Sequence, residues 1–167
     1  MLERTLLPRL ALAVVLSFVA TAAQAQDWSY EGGDVPIAYV DNGSAQFQFA
    51  CRGGDFTVGF WVRAPHGQVA KAASMNLAIT PDPKSKGVSA NAGASFAQDM
   101  PLIHSDGTSM IIRGPVARQW ARIAQKAQAT IRVAYIRKHG DIEVFDANDF
   151  GAGGSSAAIK SVLDRCG

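Results

Sequence analysis

Beyond residue 25 this chain is poor in three things: long apolar runs, cysteine and charge. Of its 167 residues, 18% are charged, 8% are aromatic and two are cysteine. Each scarcity excludes a class of protein. A membrane-spanning helix needs about 20 consecutive apolar residues, and no such run follows residue 25. With 16 Lys and Arg against 14 Asp and Glu, the charge is too even for bulk nucleic-acid binding or a strongly basic membrane-surface protein. The three histidines, His66, His104 and His139, fall in turn-like settings. They lie about 35 residues apart, without the short-spaced ligand pairs of a zinc site, so no metal and no cofactor is expected.

What is present begins with a signal peptide over residues 1–25. Glu3, Arg4 and Arg9 give a short, net-positive start, Leu10 to Ala22 is almost wholly apolar, and Ala23-Gln24-Ala25 supplies small residues for cleavage before Gln26. A dozen apolar residues followed by a cleavage pattern fit a secretory signal rather than a membrane anchor. No Cys stands at the cleavage point to take a lipid, and Arg4 and Arg9 do not form a twin-arginine pair. Cleavage of 25 residues from 167 leaves 142, with 14 basic against 13 acidic side chains. That is one domain's worth of chain, 26–167, long enough for a real core. The expected location is the periplasm.

Cys51 and Cys166 are then an even pair in an oxidising compartment. Phe47, Phe49 and Cys51 alternate with Gln46, Gln48 and Arg52, placing Cys51 on the apolar face of a strand. Ile159, Val162, Leu163 and Cys166 follow the spacing of one helix face. Both thiols therefore face the core. A structural disulfide fits this best. Buried free thiols are the plainer alternative, and a redox or metal role lacks the CxxC-type arrangement it usually needs.

The rest of the chain reads as strands with two helices. Ile37–Val40 and Ala45–Cys51 flank Asp41-Asn42-Gly43, a hairpin turn. Arg52-Gly53-Gly54-Asp55 turns into a second alternating strand, Phe56–Val62, and Ala64–Gly67 turns again. Val69–Thr80 contains a further strand, Pro81–Gly87 is an exposed loop, and Val88–Ala97 is weakly patterned. Ser109–Arg113 is a short strand. Gly114-Pro115 opens a helix with Pro at a tolerated first-turn position. Val116, Trp120, Ile123, Ala124 and Ala127 are expected on its apolar face, with Arg118, Arg122, Gln125 and Lys126 away from it. Thr130–Arg137 and Ile142–Phe145 form a hairpin about His139-Gly140-Asp141. Gly151–Gly154 is read as a flexible joint, and Ser155 or Ser156 as the side-chain cap of a last helix ending near Arg165. Short turns favour antiparallel pairing. The expected fold is mainly β with α: an antiparallel sandwich or sheet with two amphipathic helices packed on it and one disulfide.

The C-terminal stretch Phe150-Gly151-Ala152-Gly153-Gly154-Ser155-Ser156-Ala157-Ala158-Ile159, the ending Arg165-Cys166-Gly167 and Cys51 together resemble the invasion-associated locus B family of small exported proteobacterial proteins. The resemblance covers roughly the last 50 residues and Cys51. It implies a β-rich, disulfide-bearing fold and an envelope or host-interaction role, and it brings no catalytic residues.

Catalytic signals are thin. His104-Ser105-Asp106 holds three triad residue types in a row, but a triad converges from separate elements, and there is no GxSxG elbow. The Gly151–Ser156 run precedes a helix, but lacks the third glycine of a dinucleotide fingerprint and the lysine of a P-loop. Asp34, Asp55, Asp99 and Glu143 offer carboxylates without a spacing that pairs any two. The better candidates are surfaces. Trp61 and Arg63 lie on the polar side of their strand, and an exposed Trp beside Arg can anchor an interface. Arg118, Arg122 and Lys126 form a basic stripe that could face an acidic partner or anionic glycan, though such a stripe is commonly just a solvated face. The sequence thus favours an exported, non-enzymatic binding protein with an envelope protein or glycan as partner. A small periplasmic hydrolase and an accessory subunit of an envelope assembly are the alternatives.

Overall fold

The computed structural model describes residues 27–81, 84, 90–96, 102–104, 106–139 and 141–166. Its strands are β1 (Ser29–Glu31), β2 (Ile37–Asp41), β3 (Ala45–Arg52), β4 (Asp55–Val62), β5 (Ser74–Ile79), β6 (Ala90–Phe96), β7 (Leu102–His104), β8 (Gly107–Arg113), β9 (Thr130–His139) and β10 (Asp141–Gly151). Helix α1 (Pro115–Ala124) precedes β9, and α2 (Ser155–Arg165) closes the chain. The strands form a six-stranded sheet, β1-β2-β3-β4-β8-β7, and a four-stranded sheet, β10-β9-β5-β6. Every pairing is antiparallel. No helix among the described residues is long and apolar enough to cross a membrane.

The alternation seen in the sequence decides which face of each strand is buried. Phe47, Phe49, Phe56, Val58, Phe60, Met110 and Ile112 leave the six-stranded sheet on one side and are fully buried. They meet Met75, Leu77, Ile131, Val133, Tyr135 and Phe150 of the other sheet in one apolar cluster. Phe60 packs on Tyr135 with ring centroids 4.9 Å apart, and Phe47 stacks on Phe150 at 5.9 Å. The molecule is therefore an antiparallel sandwich. Both helices turn their apolar sides to the same core. Ala117, Trp120, Ala121 and Ala124 enter it from α1, and Ala158, Ile159 and Val162 from α2.

Cys51 and Cys166 form the disulfide, with Cα atoms 5.7 Å apart at a sequence separation of 115. It joins β3 to the end of α2, as the core-facing settings of both residues imply.

Several expectations need correction. The strand expected within Val69–Thr80 is present as Ser74–Ile79, preceded by a short 3-10 turn at Val69–Lys71. The Val69 and Ala72 side chains plug the core there, and backbone bonds of turn type from His66 to Ala72 replace a ladder. Leu102–His104, read as no element, is the edge strand β7 and pairs with β8. Val88–Ala97 contains the strand β6, paired with β5 despite its weak pattern, with a register shift between Asn76 and Ala78. Most of the Pro81–Gly87 loop lies outside the described residues. In α1 the buried face is set one position away from Val116, which is exposed while Ala117 is buried.

Neither Ser155 nor Ser156 caps α2. Gly154, in a left-handed conformation (φ 74°), stands at the cap position, and no side chain bonds the helix start. Ser155 is already helical, and its hydroxyl is buried. Nor is Gly151–Gly154 a free joint. Trp28 donates from its indole Nε1 to the Gly151 carbonyl (2.9 Å) and from its backbone to the Gly153 carbonyl (2.9 Å). Its ring packs against Phe47 and Phe49, so the segment entering the fold clamps the one leading into α2.

Candidate functional site

Antiparallel register aligns four strands of the larger sheet into rungs. One rung holds Ile37, Ala50, Thr57 and Arg113, the next Tyr39, Gln48, Gly59 and Ile111, and the third Asp41, Gln46, Trp61 and Ser109. Side chains alternate along a strand, and the residues between these point into the core. The three rungs therefore form the outer face of the sheet, away from both helices. Gly59 leaves a gap among the side chains in the middle of the central strand β4, and the Gln48 side chain lies across it. A Cβ there would lie 3.1 Å from Gln48 Cγ and Nε2. Its backbone is extended, so conformation does not demand glycine. Interior strand glycines weaken a sheet and often mark close approach by another group.

Two shallow depressions flank this gap. One, of about 280 Å3, is lined by Gln46, Gln48, Gly59, Trp61, Ser109 and Ile111. The other, of about 230 Å3, lies toward Thr57, Arg52 and Arg113 and shares Gln48 and Ile111 with the first. Trp61 forms one wall and is 36% exposed. Its indole lies over Gly107, where an added Cβ would collide with Nε1 and with the Val62 carbonyl. Gly107, at the start of β8, thus also seats this ring.

The candidate residues named from sequence divide between different surfaces. Arg63 flanks Trp61, but its guanidinium grips Asp41, Nη2 to Oδ2 at 2.5 Å and Nη1 to Oδ1 at 3.1 Å, and also donates to the Gly43 carbonyl. The bond to Arg63 holds the Asp41 carboxyl below its usual range, and Asp41 in turn raises Arg63. Arg63 is therefore a neutralised border, not a free cation. Tyr39, on the middle rung, donates its hydroxyl to Glu31 (2.9 Å). That bond first, and the carboxylate's charge second, raise its pKa above the ordinary value.

The basic stripe does not join this face, because α1 packs on the opposite side of β4. Nor does the stripe stay whole. Arg118, expected in solvent, donates to the Cys166 carbonyl and lies over the Phe56 ring, 5.4 Å from its centroid. It is a strut between the two helices. Arg122 and Lys126 are exposed, and Lys126 lies beyond the end of α1.

Among the residues weighed for catalysis, His66 accepts from the Gln68 backbone N–H at Nδ1 (3.2 Å). Its own backbone N–H meets both Asp146 carboxylate oxygens at 2.9 Å. His104 and His139 end β7 and β9 beside their hairpin partners Gly107 and Asp141. Glu143 is tied to Arg137, Asp34 and Asp55 are exposed, and Asp99 and Ser105 lie outside the described residues. Among the described residues no three His, Cys, Asp or Glu side chains gather to hold a metal.

Sequence reasoning found Trp61 but missed its neighbours Gln46, Gln48, Gly59, Ser109, Ile111 and Arg113. The first strands showed which residues face outward. The juxtaposition also needs the β4–β8 pairing, which brings together residues about fifty positions apart, and local pattern does not carry that. Comparison with known proteins returned no matching family model, curated protein or solved structure.

Proposed function

We propose that this chain is an exported binding protein of the cell envelope that works by recognition rather than by catalysis, with residues 1–25 removed as a signal peptide and the mature domain in the periplasm. The observation that carries this reading is Trp61, an exposed aromatic lining one of two neighbouring depressions on the outer face of a disulfide-stapled sandwich. Exposed Trp is costly to leave in water and is enriched where proteins bind. A disulfide joining a strand to the last helix suits an oxidising compartment. The resemblance of Phe150–Ile159 and Arg165–Gly167 to the invasion-associated locus B family points to the same setting.

The test is affinity capture from the native envelope extract with the oxidised chain and its Trp61→Ala variant. The expected result is a component retained by the native chain and lost by the variant at unchanged melting temperature. Identical retention by both, or retention of nothing, removes the outer sheet face as the working surface.

A further inference from the structure

We infer that the outer face of the larger sheet binds a carboxylate-bearing oligosaccharide, stacked on Trp61 and directed by Arg113. This rests on the binding-protein reading and names its ligand class. The lining chemistry points to sugar. A saccharide ring presents C–H groups on its faces and hydroxyls around its edge. Trp61 supplies a flat, fixed apolar wall, and Gln46, Gln48 and Ser109 supply amide and hydroxyl groups around it. These three side chains make no hydrogen bond to another described residue, so their donors and acceptors stand open to a ligand. Gly59 adds no side chain to the floor, and Gln48 lies across it. The two depressions, of about 280 and 230 Å3, lie side by side with Gln48 and Ile111 lining both, so an oligomer rather than a single ring would contact the two together.

Charge decides the kind of saccharide. Arg52 and Arg113 border the second depression. Both are exposed, and neither has an ion-pair partner among the described residues. The nearby acids do not cancel them. Asp41 is occupied by Arg63, and Asp55 sits opposite Arg52 across the hairpin without forming a salt bridge. Arg113, at the end of its rung on β8, and Arg52, at the end of β3, are thus both without an ion-pair partner among the described residues, and Arg113 is the one on the strand that also carries Ser109 and Ile111. Guanidinium is matched in geometry to carboxylate. An extended peptide fits less well, because peptides add to sheet edges where backbone groups are free. Here the face offers side chains only, its backbone being spent within the sheet.

The experiment titrates the oxidised chain with a panel of carboxylated oligosaccharides (galacturonate, mannuronate, glucuronate and muramic acid-containing) and the neutral parent of each. Binding is read by calorimetry and by acrylamide quenching of tryptophan. Trp28 and Trp120 are buried, so quenching reports chiefly on Trp61. The expected result is binding of at least one carboxylated member, protecting Trp61 from quencher. Trp61→Ala should weaken it at least about tenfold, the scale of one lost stacking contact. Arg113→Gln should weaken the acidic member about fivefold while leaving its neutral parent within about twofold. Both variants are surface changes whose melting temperatures verify the fold. Absence of binding across the panel overturns the inference, as does binding that neither variant alters. Equal affinity for acidic and neutral members overturns the role of Arg113. A protein captured in a Trp61-dependent way, with no saccharide bound, sinks the saccharide assignment and leaves the binding-protein reading standing.

Discussion

Gly107 and Gly59 are both glycines of the outer sheet face, yet they answer to different demands. At Gly107 a Cβ would collide with Trp61 Nε1 and with the Val62 carbonyl, and one of these is backbone that cannot step aside. Gly107→Ala should therefore destabilise the fold by about 1–3 kcal/mol, the usual penalty of an overpacked site. It should also push the indole out, reddening its emission. At Gly59 the added methyl meets only the flexible Gln48 side chain, in ordinary extended backbone. Gly59→Ala should leave stability within about 1 kcal/mol of the native chain, or raise it, because alanine loses less entropy on folding. Ligand binding should fall as the floor rises. Thermal melts and titrations of both variants separate the cases. A loss of stability at Gly59→Ala matching that at Gly107→Ala would make Gly59 a packing requirement, and the depression an accident of it.

At the scale of elements, α2 is held at both ends, by the Trp28 clamp before Ser155 and by the disulfide at Cys166. Arg118 adds a third tie by donating to the Cys166 carbonyl across from α1. Opening the disulfide with Cys51→Ser and Cys166→Ser together should lower stability by about 2–5 kcal/mol, since a loop of more than a hundred residues is no longer closed in the unfolded chain. Melting with and without reductant checks this. No shift would mean that burial of Ile159 and Val162 alone docks the helix. How far such elements can be read from sequence depends on where their cause lies. The β2–β3 and β3–β4 hairpins were legible because Asp41-Asn42-Gly43 and Arg52–Asp55 carry their own turn chemistry beside strict alternation. The disulfide was legible because Cys51 and Cys166 each sit on an apolar face. β6 and β7 were not, since Ala90–Phe96 is small and polar and gains its strand from pairing. The start of α2 was misread because Gly154 and the distant Trp28, rather than a local serine, shape it. The candidate face was half legible: Trp61 showed in β4, whereas its partners on β8 arrive only through tertiary pairing.

At the scale of the whole molecule, one side chain ties the two sheets by more than apolar contact. Tyr135 leaves β9 of the smaller sheet, and its hydroxyl lies 3.1 Å from the carbonyls of Phe60 and Thr108, on β4 and β8 of the larger one. The ring is fully buried. Burial, and secondarily the charge of Asp146, push its phenol well above the ordinary tyrosine range. The sign of the linkage follows. In the unfolded chain the phenol ionises near pH 10, while in the fold it stays neutral to higher pH, so its stabilising share is complete below about pH 10 and is lost as the pH climbs beyond it. Tyr135→Phe keeps the ring but removes both the hydrogen bond and the titration. The variant should lose about 1 kcal/mol at neutral pH, the net value of a typical buried hydrogen bond. It should then show a shallower decline between about pH 10 and 11.5 than the native chain, so that the two stabilities converge. Denaturant unfolding at steps of pH from 8 to 11.5 measures both. Parallel declines would assign the alkaline sensitivity to exposed groups and reduce Tyr135 to a packing residue. Convergence would show that one buried hydroxyl couples the sheet carrying the open face to the sheet behind it.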